Sequence, residues 1–134
     1  MDKLRILTVD DDEMCRKLIV HSCSEYFRDY SIREAENALD AISILENYLP
    51  NLVFLDNQMP YLNGSIMAKW MKHHPVFKVA KVCFFSSCPS LARCGGLKKG
   101  HPDAVMQFLQ TNYCRRGLER LPLKAVDLTD KMDY

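Results

Sequence analysis

The stretch Leu52-Val53-Phe54-Leu55-Asp56-Asn57-Gln58-Met59-Pro60-Tyr61-Leu62-Asn63-Gly64 decides the fold. Its first four residues are apolar without alternation, as expected of a short strand covered on both faces, which is how parallel sheets are built. The run stops at a carboxylate, and Asn63-Gly64 closes the loop behind it. Open α/β sheets keep their ligand sites outside the carboxyl ends of the strands, so Asp56 stands where chemistry is expected.

Working outward, a second apolar run, Leu4–Val9, ends in Asp10, Asp11 and Asp12. Two such strands side by side bring these acids together at one sheet edge. Clustered carboxylates repel one another unless a cation or a proton sits among them. Mg²⁺ suits the donors: a hard ion that keeps several waters and is held by one or two carboxylates. The expected ligands are Asp10, Asp11, Asp56 and the backbone carbonyl of Gln58. A reactive aspartate must be ionised to attack phosphorus, and hydroxyl or cationic donors must converge on the charge that spreads over the phosphoryl oxygens. Ser86, at the end of a further apolar run over Val79–Phe85, is such a hydroxyl.

The remaining elements follow from periodicity. Asp12 caps a helix reaching about Phe27, with Met14, Leu18, Ile19 and Cys23 at helical spacing. Tyr30–Ala35 alternates as an edge-like strand. Asn37 caps a helix over Ala38–Tyr48 with Leu39, Ile42, Leu45 and Leu49 on one face, and Pro50 stops it. Ser65–His73 is a third helix carrying Ile66, Met67, Trp70 and Met71, with Trp70 and Met67 read as core and Pro75 as the stop. Gly95-Gly96 limits Pro89–Leu97 to a short helix, Gly100-His101-Pro102 is a turn, and Ala104–Phe108 is expected as the fifth strand. Asn112–Leu121 suits a last helix, and residues 122–134 a tail or the start of a linker. The fold class is therefore α/β: a doubly wound, five-stranded parallel sheet with helices on both faces, one domain over residues 1–121.

Composition bounds the function. The 134 residues allow one core; 48% hydrophobic and 26% charged residues are ordinary for a globular chain. A net charge of +1 gives no argument for nucleic acid or for a membrane surface, and Lys98-Lys99 and Arg115-Arg116 read as solvated pairs. No run approaches the ~20 apolar residues that cross a bilayer, and the first residues lack a signal-peptide core. A cytoplasmic location is expected, with the six cysteines reduced. Cys88, Cys94, His101 and Cys114 match no compact zinc module. His73-His74 suits the C-terminal end of a helix dipole.

Taken together, Val9-Asp10-Asp11-Asp12, Leu55-Asp56 with Met59-Pro60 and Gly64, and Phe84-Phe85-Ser86-Ser87 resemble, in order and spacing, the receiver domain of two-component response regulators over about residues 3–121. The resemblance implies a flavodoxin-like architecture. It implies Asp56 as phosphoacceptor, Asp11 as direct Mg²⁺ ligand with Asp10 acting through water, and Ser86 as the switch hydroxyl. The partner would be a histidine kinase or histidine phosphotransfer protein. An effector domain or downstream protein would carry the output, and homodimers through the last strand and helix are common in the family. Such a domain is not an enzyme beyond its own phosphorylation.

A departure falls in the expected fifth strand. The family ends it with Lys-Pro, and aligning from Gly100 puts Gln107-Phe108 there. Gln107 donates a hydrogen bond but carries no charge. Three residues earlier, where an aromatic switch is usual, stands Ala104. Lys98 and Lys99 precede this strand and would need a loop rearrangement to reach the site. Two readings remain: a receiver with an altered switch, or a degenerate pseudo-receiver that serves as an interaction module. Asp10-Asp11-Asp12 also reads as the Asp-x-Asp of haloacid-dehalogenase-type phosphatases. That scheme wants Thr or Val where Met14 stands and leaves Asp56 with no role.

Overall fold

Every central strand sorts its side chains by a period of two, and the two sets build two cores. From β1 (Leu4–Val9), Leu4 and Ile6 face one way and Leu7 and Val9 the other. From β3 (Leu52–Leu55), Leu52 and Phe54 oppose Val53 and Leu55; from β4 (Lys81–Ser86), Cys83 and Phe85 oppose Val82 and Phe84. The computed structural model describes residues 3–86, 97–99 and 103–115. Within them the chain adds α1 (Glu13–Tyr26), β2 (Tyr30–Ala35), α2 (Ala38–Leu45), α3 (Gly64–His73), a 3-10 turn at Phe77–Val79, β5 (Leu97–Lys98) and α4 (Ala104–Asn112).

The sheet is parallel in the order β2-β1-β3-β4-β5. Helices α2 and α3 cover one face through Ala38, Ala41, Leu45, Met67, Ala68 and Met71. Helices α1 and α4 cover the other through Ile19, Cys23, Val105 and Leu109. Burying each large apolar side chain is worth about 1.5–3 kcal/mol, so these faces dominate stability. The doubly wound α/β class read from the sequence is the class observed.

The register places the site. Val9 pairs with Leu55, so the next residues, Asp10 and Asp56, leave the sheet side by side. The order also reverses at β1 and β3, which is where such sheets open a crevice. Ser86 pairs with Lys98, so Lys99 emerges at the same edge.

The main correction concerns the last part of the chain. The expected strand over Ala104–Phe108 is the first half of α4, and the fifth strand is only Leu97–Lys98. Val105, Leu109 and Asn112 are buried at spacings of four and three, a helical face that a short, mostly apolar window of five residues does not separate from a strand. The helix ends at Asn112, where a last helix was expected to begin. Smaller corrections share one cause. Met14, Leu39, Leu49, Ile66 and Trp70, expected on the apolar faces, are exposed, while the small residues Ala38, Ala41 and Ala68 are buried; Ile19, Cys23, Leu45, Met67 and Met71 are buried as expected. Close helix–sheet packing selects small side chains, so the buried stripe is shifted from the one that hydrophobicity alone marks. The short helix expected after Ser87, the turn at Gly100-His101-Pro102, residues 116–121 and the tail at 122–134 lie outside the described residues.

Candidate functional site

Asp10 and Asp56 are both buried, 3% and 4% exposed, while Asp11 is exposed. Oxygens of the three carboxylates lie within 4.8 Å of one another, so the structure brings together Asp10, Asp11 and Asp56. Among the described residues the cation that faces them is Lys99, whose Nζ is 2.9 Å from Asp10 Oδ2 and 3.4 Å from Asp56 Oδ2. Three carboxylates against one ammonium leave two negative charges, the charge a divalent ion neutralises. The donor set is all oxygen and hard, and Asp11 keeps an open side to solvent. These residues fit Mg²⁺ or a similar ion.

Local structure holds each group. The Asp56 backbone N–H donates to the Val9 carbonyl (2.9 Å) and that of Asp10 to the Ala35 carbonyl (3.0 Å), extending the ladder one residue past each strand. Asp10 Oδ1 accepts from the Asp12 N–H at 2.9 Å, and Asp12 caps α1 by accepting from the Met14 N–H at 2.9 Å. The Asp10 carbonyl accepts from buried Arg16 at 2.7 Å, and Arg16 also pairs with Glu34 at 3.2 Å. Behind Asp56, the side chain of Asn57 caps α3, its Oδ1 accepting from the Ser65 N–H at 3.0 Å, while its carbonyl accepts from the Gly64 N–H at 2.9 Å. The loop between includes Tyr61, exposed and at φ 73°, a left-handed conformation costing about 1 kcal/mol.

Burial, then the Asp10 charge, push the Asp56 carboxyl up from 3.8 to about 6, against Lys99 and the Gln58 backbone N–H. Burial also raises Asp10, opposed by the Asp12 N–H and Lys99. Burial works against the Lys99 charge, but its hydrogen bond to Asp10 and the charges of Asp10 and Asp56 outweigh it and raise its pKa. A carboxyl whose folded pKa is raised binds its proton more tightly folded than unfolded. Its charge therefore costs nothing below about pH 4 and reaches its full cost above about pH 6. Asp56→Asn is expected to stabilise the metal-free protein by about 1–3 kcal/mol at pH 7.5, with the gain fading by pH 4. Urea denaturation in chelator at both pH values measures this, and an equal gain at both would remove desolvation as the cause.

Other expected site residues fall elsewhere or only partly into place. Gln58 is exposed in the loop, and its N–H reaches the Asp56 carboxylate. Ser86 closes β4 at this edge. Gln107 does not enter the site: it is exposed on α4, so the expected substitution of glutamine for the family lysine is withdrawn. The ammonium is supplied by Lys99, one residue past the two-residue β5. The signal was present, an apolar residue running into Lys98-Lys99 just before Gly100, but a strand of two residues carries no periodicity. Arg16 had no sequence signal, because its role is to hold a backbone carbonyl. Cys114 is partly buried and free, while Cys88, Cys94 and His101 lie outside the described residues. No helix among the described residues is long and apolar enough to cross a membrane.

A family model described as the response regulator receiver domain matches residues 6–105. The chain is 39% identical over 69 residues to the response regulator MprA of Mycobacterium sp. (strain KMS), covering 52% of this chain and 29% of that protein. It is 28% identical over 123 residues to the chemotaxis protein CheY of Listeria monocytogenes, covering 87% of this chain and 97% of CheY. Among solved structures, the response regulator TrrA of Thermotoga maritima in complex with Mg²⁺-BeF matches with a TM-score of 0.65 and 25% identity, covering 80% and 96% of the two chains. The chain thus spans less than a third of MprA but nearly all of CheY.

Proposed function

Because this chain belongs to the response regulator receiver domain family, we propose that it accepts a phosphoryl group from the phosphohistidine of a histidine kinase or histidine phosphotransfer protein onto Asp56, with Mg²⁺ held by Asp10, Asp11, Asp56 and the Gln58 carbonyl. The observation that carries this reading is Lys99 bridging Asp10 and Asp56 at 2.9 and 3.4 Å. It supplies the ammonium that Gln107 could not, which takes the missing lysine out of the case for a degenerate pseudo-receiver and leaves that case only the missing proline and aromatic ring.

In the proposed reaction an Asp56 carboxylate oxygen attacks phosphorus. An O–P bond forms as the P–N bond to the donor imidazole breaks, and the imidazole leaves with the electron pair. Mg²⁺, when bound, neutralises charge on the transferring oxygens. Lys99 then exchanges its contact with the Asp56 carboxylate for one with a phosphoryl oxygen, and the Gln58 N–H stays close to the same group. Ser86, the last residue of β4, is the proposed hydroxyl donor to the transferred group. The usual proline and aromatic ring have no counterpart, because Gly100 follows Lys99 and Gly96 stands three residues before it. The output, through an effector domain or a downstream protein, is also proposed, since the chain spans only part of MprA-type regulators.

Incubation with Mg²⁺ and acetyl phosphate, followed by intact mass, tests the proposal. A species heavier by about 80 Da, one phosphoryl group, is expected in wild type and absent in Asp56→Ala. An adduct that persists in Asp56→Ala, or none in wild type while CheY reacts alongside, would refute it.

A further inference from the structure

From Asn57 to Pro102 the chain holds no Asp or Glu, yet seven Lys and Arg. The 56 residues before it carry twelve acids and six bases, so the charge is divided by region although the net is +1. Helix α3 lies in the basic region. Its solvent side forms a shallow groove of about 410 Å³, lined by Ile66, Lys69, Trp70, His73, His74 and Pro75. Ile66 is 52% and Trp70 40% exposed, while Met67, Ala68 and Met71 on the other side of the helix fill the core. The floor is fixed: Trp70 packs on His74 at 5.2 Å and on Phe77 at 5.5 Å, and His74 stacks on Phe77 at 4.3 Å. His74 Nδ1 also accepts from the Val76 N–H at 3.1 Å. Two adjacent exposed apolar side chains over a fixed aromatic floor, with the cation of Lys69 at the edge, make a surface suited to contact.

We propose that this groove is the docking site of residues 126–134 of the same chain, Val126-Asp127-Leu128-Thr129-Asp130-Lys131-Met132-Asp133-Tyr134. Three aspartates are spaced among Val126, Leu128, Met132 and Tyr134, matching an apolar floor with Lys69 at its edge. The starting point of the tail also fits. In a parallel sheet the connecting helices run back against the strands, so α1, α3 and α4 all end at the edge opposite Asp56. His73, His74 and Pro75 lie at that edge. So does Arg115, whose carbonyl accepts from the Arg28 N–H at 3.0 Å just past α1. Residues 116–125 extend to at most ~33 Å, about three helix diameters, enough to pass round the edge. The aspartates then meet the Lys69 side of α3, and Met132 and Tyr134 cover Trp70.

Trp70 is the only tryptophan, so its emission reports the groove in the full chain. The emission maximum and acrylamide quenching are compared among wild type, D127N/D130N/D133N, K69E, and K69E combined with D127K/D130K/D133K, each over a range of protein concentration. Docking predicts a red shift and stronger quenching in the first two variants, in high salt as well, and recovery in the charge-swapped combination. The tail substitutions lie outside every described element, so lost folding does not mimic the result. Emission and quenching unchanged in D127N/D130N/D133N would overturn the proposal. Shielding that grows with protein concentration would overturn it too, by assigning the groove to a second copy.

Discussion

Lys99→Met lowers the stability of the metal-free protein by about 2–4 kcal/mol at pH 8, a little below the ~3–5 kcal/mol for removing one partner of a fully buried pair, because the Lys99 side chain is 19% exposed. The methionine keeps most of the stem, so little packing is lost, and the effect is electrostatic. In wild type one ammonium stands 2.9 and 3.4 Å from two carboxylates that are almost fully buried. Without it those carboxylates face each other unscreened, and both bind protons more readily. A raised carboxyl pKa costs stability above its unfolded value, so the defect grows with pH between about 4 and 8 and nearly vanishes below 4. Lys99 itself stays charged throughout that window, because Asp10 and Asp56 raise its pKa despite burial. Mg²⁺ then restores more stability to the variant than to wild type, since the ion no longer competes with an ammonium. The phosphoryl adduct forms less readily, because a charge-assisted contact to the transferred group is missing. Urea denaturation at pH 5 and pH 8, with chelator and with Mg²⁺, measures the stability changes, and intact mass after acetyl phosphate measures the adduct. A variant as stable as wild type at pH 8 in chelator would place Lys99 outside the site.

Gly64→Ala is expected to cost about 3–5 kcal/mol, beyond the 1–3 kcal/mol of ordinary overpacking. A Cβ at this position would stand 2.1 Å from the Asp56 carbonyl oxygen, 2.9 Å from its carbon and 3.0 Å from Asn57 Cα. All three are backbone atoms, so no rotamer relieves the clash. The sign is the point: at an ordinary helix position the same change stabilises by about 1 kcal/mol. To accept the methyl, the first turn of α3 must move off the Asp56–Asn57 peptide, breaking the Gly64 N–H and Ser65 N–H bonds to Asn57. Asp56 is then held by its strand alone, and the phosphoryl adduct falls with stability. A melt by circular dichroism, read beside the milder Ser65→Ala, checks this. A melting temperature within a few degrees of wild type would mean that the helix start is not wedged against the strand end that carries Asp56.

The acidic half of the site was legible in the sequence because its signal is local. An apolar run sets a buried strand, and the residue after it is at the strand tip, so Asp10 and Asp56 could be placed from their neighbours alone. Asn37 and Asp12 were equally legible as caps, since capping needs only the residue and the helix it starts. Gly64 was legible as a turn residue, though not as the point where a helix touches the Asp56 carbonyl.

Lys99 was missed for the opposite reason. It reaches the acids through a strand of two residues, too short to show alternation, and a competing apolar pattern over Ala104–Phe108 took the place of the fifth strand. Only the sheet separates these, by pairing Phe85 with Leu97 and leaving Val105 and Leu109 to a helix. The exposure of Trp70 is likewise tertiary: its helix has more apolar residues than the sheet can cover, and close approach selected Met67 and Ala68.

The sequence by itself determined the fold class, the order of elements as far as β4 and the three carboxylates, since strand patterning and strand-end chemistry are written in adjacent residues. Tertiary structure alone decided which cation answers those carboxylates and which face of α3 is left bare. Charge pairing across strands and competition for space on a sheet depend on residues distant along the chain, and no local pattern encodes them.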